Sequence, residues 1–190
     1  MMKKILLVNA SVRPCSRTRE LTEAVLQKLE GELQEVKLYE ETICALDLKG
    51  MEIRDQAARM QDFSHPMFVH AKQFAAADII VVAAPYWDLM FPAILKTYLE
   101  NITVSGLTFR YSQQGRPVSM CRAEALYYVT TSGGFIGQND FGYAYVKALA
   151  TNFFGIKDVR CFVAEGLDIF GSNPDEILQK AKADIVLSGG

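Results

Sequence analysis

The sequence predicts an α/β fold, a doubly wound sheet of five parallel strands in the order 2-1-3-4-5 with helices on both faces. Three observations predict it. Near-continuous apolar runs without alternation, the pattern of strands buried on both faces, occur at residues 4–8, 78–84 and 125–130. Helical patterns lie between them, so strand and helix alternate along the chain, which calls for parallel strands joined by right-handed crossovers. The length, 190 residues, suits a single domain of five strands better than a six-stranded dinucleotide-binding domain.

Taken in order, residues 4–8 are Lys-Ile-Leu-Leu-Val. Behind Met1-Met2-Lys3 they resemble the start of a secretory leader. The apolar run breaks at Asn9, however, well short of the roughly seven to fifteen residues a leader needs, so a buried strand is the better reading. Residues 18–30 carry Leu21, Val25, Leu26 and Leu29 at helical spacing, with Gly31 placed as a C-terminal stop. Residues 35–39 alternate, with Val36 and Leu38 on one side, as suits a half-exposed edge strand. Residues 40–66 have no strong pattern. Residues 92–101 open with Pro92, tolerated in a first helical turn. A helix at 141–154 stops at Gly155, a more mixed strand covers 159–164, and a last helix at 174–187 follows Ser172-Asn173.

The helix at 141–154 is unusual. Phe141, Tyr143, Tyr145, Val146, Leu149, Phe153 and Phe154 wrap most of its circumference, and Lys147 is its only charge. An outer helix ordinarily buries one stripe. Either a homodimer contact covers the excess, or the chain after residue 165 does.

Composition excludes several functions. Lys plus Arg is 20 and Asp plus Glu is 22, a net charge of −2. That balance argues against a nucleic-acid surface and against the strongly acidic face of a small electron shuttle. No apolar run approaches the roughly 18 residues that span a bilayer, so no membrane segment is expected. Cys15, Cys44, Cys121 and Cys161 are scattered without metal-ligand spacing, which suits free thiols in a reducing cytoplasm and no bound metal.

In an open parallel sheet, ligands bind beyond the carboxyl ends of the strands where the strand order reverses, here between the first and third strands. Three loops meet there. Asn9 to Thr18 offers the hydroxyls of Ser11, Ser16 and Thr18 at a helix start, with Arg13, Arg17 and Arg19 nearby, a set that suits a phosphate monoester or, more simply, helix capping. It lacks the spacing of a dinucleotide or nucleotide phosphate loop. Pro85-Tyr86-Trp87-Asp88-Leu89-Met90-Phe91 places an aromatic cluster at a strand end, suited to a flat aromatic ligand, although Phe91 reads more as core. Thr131-Ser132-Gly133-Gly134-Phe135-Ile136-Gly137 has three glycines in five residues, which lets the backbone approach a ligand. His65 and His70 lie ahead of or inside the helix before the third strand, at the wrong end of the sheet for a hydrolytic triad.

These residues carry a resemblance. Asn9-Ala10-Ser11 with Ser16-Arg17-Thr18, the Ala-Ala-Pro-Tyr-Trp-Asp-Leu run ending at Leu89, Gly-Leu-Thr-Phe-Arg-Tyr ending at Tyr111, Thr-Thr-Ser-Gly-Gly ending at Gly134 and Val-Ala-Glu-Gly ending at Gly166 are similar to the flavodoxin-like NAD(P)H:quinone reductases, and most of all to bacterial FMN-dependent NADH-azoreductases. The resemblance implies a flavodoxin-like fold, a homodimer, bound FMN, and NADH or NADPH as donor to a small aromatic acceptor such as a quinone or azo compound. It implies that Ser11, Ser16, Arg17 and Thr18 hold the FMN phosphate. Pro85, Tyr86, Trp87, Asp88 and Leu89 line one edge of the ring, and Thr131, Ser132, Gly133 and Gly134 the other. Phe109, Tyr111 and Phe135 fall near the acceptor. Hydride passes through flavin N5, so no side chain is named as catalytic.

The chain departs from that family at three places. Azoreductases usually carry Asn at position 88, Ser-Gln-Ser at 16–18 and Ser-Arg-Gly-Gly at 131–134. Arg17 adds a cation for the phosphate, and Ser132 removes a donor from the rim of the ring. An ionised Asp88 about 5 Å from a reduced anionic flavin would cost on the order of 3 kcal/mol at an effective dielectric near 20. That lowers the potential by about 70 mV, unless the carboxylate is turned away or protonated.

Overall fold

The structure, a computed structural model, describes residues 2–138 and 140–187. Its main sheet is built around three buried strands, β1 (Lys4–Asn9), β3 (Ile79–Ala83) and β6 (Ala125–Thr131). The edges are β2 (Glu32–Lys37) and β7 (Asp158–Ala164). All neighbours pair in parallel in the order β2-β1-β3-β6-β7, which is 2-1-3-4-5 among the strands of this sheet. Two further strands, β4 (Phe109–Tyr111) and β5 (Pro117–Ser119), form a separate antiparallel hairpin.

The apolar runs are continuous because each strand feeds two cores. Leu6, Val8, Ile80, Val82, Leu126 and Tyr128 point to one face, and Ile5, Leu7, Ile79, Val81, Tyr127 and Val129 to the other. The first core is covered by α2 (Leu48–Met60), α3 (Val69–Ala76), α4 (Ala93–Ile102) and α5 (Phe141–Asn152). The second is covered by α1 (Arg17–Leu26) and α6 (Pro174–Ala183). Helix α4 shows the periodic signal most plainly, with Leu95, Tyr98, Leu99 and Ile102 all buried.

Several boundaries differ from expectation. Helix α1 ends at Leu26 with Gln27 as its cap, and Gly31 is not its stop. A Cβ on Gly31 would collide with the Lys3 carbonyl, so this glycine is needed for close passage beside β1. Strand β2 begins at Glu32, not 35, because its pairing with β1 runs from Lys4↔Glu32 to Asn9↔Lys37. Gly155 does take the left-handed conformation, φ +66, after α5 has ended at Asn152. Helix α6 stops at Ala183, short of the expected 187.

The patternless stretch from 40 to 66 holds α2, opened by Asp47, whose side chain accepts the Gly50 N–H at 2.7 Å. Only Ala57 of this helix is buried, so it has almost no apolar stripe to read. A 3-10 turn at Pro66–Phe68, capped by His65, leads into α3.

Candidate functional site

At the carboxyl rim, Asn9 turns the chain out of β1. Its Oδ1 accepts the Ser11 N–H at 2.9 Å, and its Nδ2 donates to Glu35 Oε1 at 2.8 Å. Ser16 then caps α1, accepting the Arg19 N–H at 3.3 Å. The N–H groups of Arg17 and Thr18 have no acceptor among the described residues, as expected of a first helical turn. The Ser11 hydroxyl is buried with no hydrogen-bond partner. Thr18 is itself buried, and its Oγ1 pairs with Thr131 Oγ1 at 2.6 Å, joining the first loop to the third.

The second loop folds as a two-residue turn. Trp87 and Met90 exchange backbone hydrogen bonds of 2.8 Å each, and Asp88 and Leu89 between them sit at φ 49 and 68. Asp tolerates this left-handed region, whereas Leu there is strained by about 1–2 kcal/mol. Both side chains are exposed and stand outside the residues that line the rim cavity. Trp87 remains 39 % exposed over that cavity. Phe91 is buried against Tyr145, ring centroids 6.0 Å apart, as its core reading expected. Partial desolvation, and then the charge of Asp140, hold the Tyr86 phenol above its ordinary value.

The third loop is shaped by a fourth that sequence reasoning did not single out as part of the site. The carbonyls of Ser132, Gly133 and Gly134 accept the N–H groups of Leu167, Asp168 and Gly166 at 3.2, 2.9 and 3.0 Å. Glu165 Oε2 accepts the Ile136 N–H at 2.8 Å. With its carbonyl side occupied, the loop leaves the N–H groups of Gly133, Gly134 and Phe135 without acceptors among the described residues. The Asp168 carboxylate fills the space a Cβ on Gly133 would need, and its Oδ1 meets Arg17 Nη1 at 2.7 Å. Asn139, at the end of this loop, lies outside the described residues.

These loops enclose a cavity of about 410 Å³. Of the residues expected at the site, Ser11, Ser16, Arg17, Thr18, Pro85, Tyr86, Trp87, Thr131, Ser132 and Gly133 line it together. Val12, Arg13, Cys15, Leu167 and Asp168 line it too. The Val-Ala-Glu-Gly motif was the signal that could have drawn attention to the last two. Gly134 and Phe135 stand just outside the lining, with Phe135 exposed beside Gly166.

Phe109 and Tyr111 are placed elsewhere. Phe109 is buried edge-on against Phe153, ring centroids 5.0 Å apart, at the far end of α5 and toward the amino ends of the strands. Tyr111 packs on Phe109 and is largely exposed. Within one chain, neither lies beside the rim cavity. His65 and His70 are also absent from its lining, the first as a cap and the second 3.8 Å from Glu41.

An unpartnered buried hydroxyl, unpaired N–H groups on two loops and two arginines form a donor set for anionic oxygen. The set fits the phosphate monoester of FMN, and Trp87 and Gly133 stand on the same lining.

Comparison with known proteins bears on the fold and the family. The profile described as the flavodoxin-like fold matches residues 3–187. The chain is 33% identical over 189 residues to an FMN-dependent NADH:quinone oxidoreductase of Clostridium beijerinckii, covering 95% of this chain and 94% of that one. An azoreductase from Bacillus anthracis superposes with a TM-score of 0.84 at 24% identity, covering 96% of each chain. An FMN-dependent NADH-azoreductase from the same species, solved in complex with FMN, superposes with a TM-score of 0.81 at 22% identity, covering 96% of this chain and 95% of that one.

Proposed function

Because the chain belongs to the flavodoxin-like fold family and, within it, to the FMN-dependent NADH:quinone oxidoreductases, we propose that it is an FMN-dependent oxidoreductase. It takes hydride from NADH and reduces a quinone, an azo compound or a similar small aromatic acceptor. The observation that carries this reading is the buried, unpartnered hydroxyl of Ser11, a residue on the lining of the rim cavity. Burying a hydroxyl without a partner is unfavourable, and a bound phosphate oxygen removes that cost.

FMN, when bound, supplies the redox chemistry by accepting hydride from the nicotinamide and passing two electrons to the acceptor. The protein supplies position. Ser11, Ser16 and the N–H groups of Arg17 and Thr18 hold the phosphate, and Arg17 adds a cation. Pro85, Tyr86 and Trp87 line one edge of the ring, held there by the turn at Asp88 and Leu89. Gly133 and Gly134 offer free backbone N–H donors to the other edge, with Thr131 and Ser132 beside them on the lining. Nothing in the rim requires a side chain to act as acid or base.

The homodimer belongs to the same reading. A groove of about 850 Å³ between α2, α4 and α5 is lined by Leu99, Val104, Tyr145, Leu149 and Phe153, among others, and Phe141 is exposed at the rim end of α5. A two-fold contact with the α5 axes antiparallel sets the far end of one helix beside the rim of its partner. Phe109 and Tyr111 then serve the partner's acceptor site, next to the exposed Phe135 of that rim. Among the described residues no helix is long and apolar enough to cross a membrane. A cytoplasmic location supplies NADH and keeps the four cysteines reduced.

The test is direct. Purified protein reconstituted with FMN should oxidise about one equivalent of NADH anaerobically without quinone and turn over continuously once a small benzoquinone is added, with parallel initial-rate lines for the two substrates. Absence of quinone-dependent NADH oxidation by the FMN-loaded protein overturns the reading.

A further inference from the structure

The charges of the rim cavity are not arranged for an anion alone. Arg13 and Arg17 are on its lining, and among the described residues Asp168 is the one carboxylate there. Arg13 has no ion-pair partner among the described residues, whereas Arg17 Nη1 is held by Asp168 Oδ1 at 2.7 Å. This pair joins the first turn of α1 to the loop after β7.

The two partners are anchored very differently. Asp168 is pinned by its own backbone, its N–H donating to the Gly133 carbonyl at 2.9 Å, and its carboxylate rests over the Gly133 Cα. Arg17 is a long side chain, 42 % exposed, with Asp168 as its ion-pair partner. The Asp168 main chain is therefore fixed, while both side chains of the pair are solvent-exposed, 42 % and 66 %, so the bridge itself can open.

We propose that Arg17 is shared between Asp168 and the coenzyme phosphate, releasing the first to grip the second, so that Asp168 sets how tightly the site holds a phosphate monoester. This rests on the reading that the rim cavity holds FMN by its phosphate. The unpaired N–H groups of Arg17 and Thr18 and the unpartnered Ser11 Oγ mark where a phosphate is received, on the same lining as the guanidinium. A dianion with three acceptor oxygens outcompetes one carboxylate for a guanidinium, and an exposed ion pair is easily given up. A flavin without a phosphate does not draw Arg17 away, so Asp168 tunes FMN affinity and leaves riboflavin affinity alone.

The experiment titrates FMN and riboflavin into the apoprotein and reads quenching of flavin fluorescence for wild type, Asp168→Asn, Arg17→Gln and the double variant. Asp168→Asn should tighten FMN by about two- to fivefold, the range an exposed pair allows, with riboflavin unchanged. Arg17→Gln should weaken FMN, and adding Asp168→Asn to it should then change nothing. Asp168→Ser stands in if Asp168→Asn does not fold. Equal tightening with and without Arg17 overturns the exchange, because plain repulsion then explains it. Unchanged or weaker FMN binding by the folded Asp168 variant also overturns it, because Asp168 is then only a strut. A wild type that binds no FMN sinks the cofactor reading itself, which separates the two failures.

Discussion

The groove between α2, α4 and α5 encloses about 850 Å³ and the rim cavity about 410 Å³, yet only the smaller one asks for a small ligand. In the groove, the Arg54 and Asn152 side chains already have partners. The Arg54 guanidinium donates to the Glu100 and Thr103 carbonyls at the end of α4, and Asn152 donates to the Ala148 carbonyl at 2.7 Å. What remains unsatisfied there is apolar surface, the kind that suits a protein contact rather than a small polar ligand. At the rim the balance is reversed, with hydroxyl and N–H donors unpaired and little apolar lining beyond the aromatics of the second loop. Volume reports how much surface needs covering, and unpaired polar atoms report what chemistry a ligand must bring.

Alkaline pH is the harshest way to separate the two regions. Burial pushes the thiols of Cys121 and Cys161 from 9.0 up to about 12 and carries the Tyr98 and Tyr128 phenols well above their ordinary value. All four side chains pack in the core on the groove side of the sheet. As pH rises through 9, the unfolded chain releases these thiol protons while the folded chain keeps them, so stability is intact below 9 and is lost toward 12. Thermal melts should show a falling Tm across that window, and a flat profile would contradict the burial of these groups.

Ala148→Arg comes next. Ala148 is exposed on the groove, so the variant should fold normally. Placing like charges against each other across a two-fold contact costs several kcal/mol, and sedimentation should show monomers. A dimer that persists moves the contact away from this face. Gly133→Val acts at the rim instead, forcing Asp168 aside. Overpacking should cost about 1–3 kcal/mol of folding stability, read as a lowered Tm, with the oligomeric state unchanged. Ser11→Ala should have the smallest effect and the most diagnostic one. Its hydroxyl has no partner, so apoprotein stability should hold or rise slightly. FMN affinity should drop by about two- to tenfold, the worth of one hydrogen bond. Lost stability with unchanged affinity would assign Ser11 to the scaffold.

Much of this was legible from residue order because the central strands are buried on both faces. No alternation was needed to find 4–8, 78–84 and 125–130, and once their order was set the three loops had to share a rim. Helix α2 was not legible, since burying Ala57 alone leaves no periodic stripe. The fourth loop was missed for another reason. Leu167 and Gly166 act through backbone N–H groups that any residue but proline carries, and Asp168 looks like any exposed acid until the fold sets it over Gly133. Thr18 was read as a phosphate ligand or a cap, and its hydroxyl instead braces Thr131, a contact across 113 positions that local spacing does not encode. Phe109 and Tyr111 came from resemblance alone, and a single chain sets them at the opposite end of the sheet.

The Thr18–Thr131 contact has a consequence for how the coenzyme comes and goes. Together with the backbone bonds from 166–168 to 132–134, it stitches the β1–α1, β6–α5 and β7–α6 connections into one frame through the chain's own bonds. A frame held by its own bonds loses little freedom when a ligand binds, so little ordering has to accompany loading. Repeated stripping and reloading should therefore return the same enzyme each time.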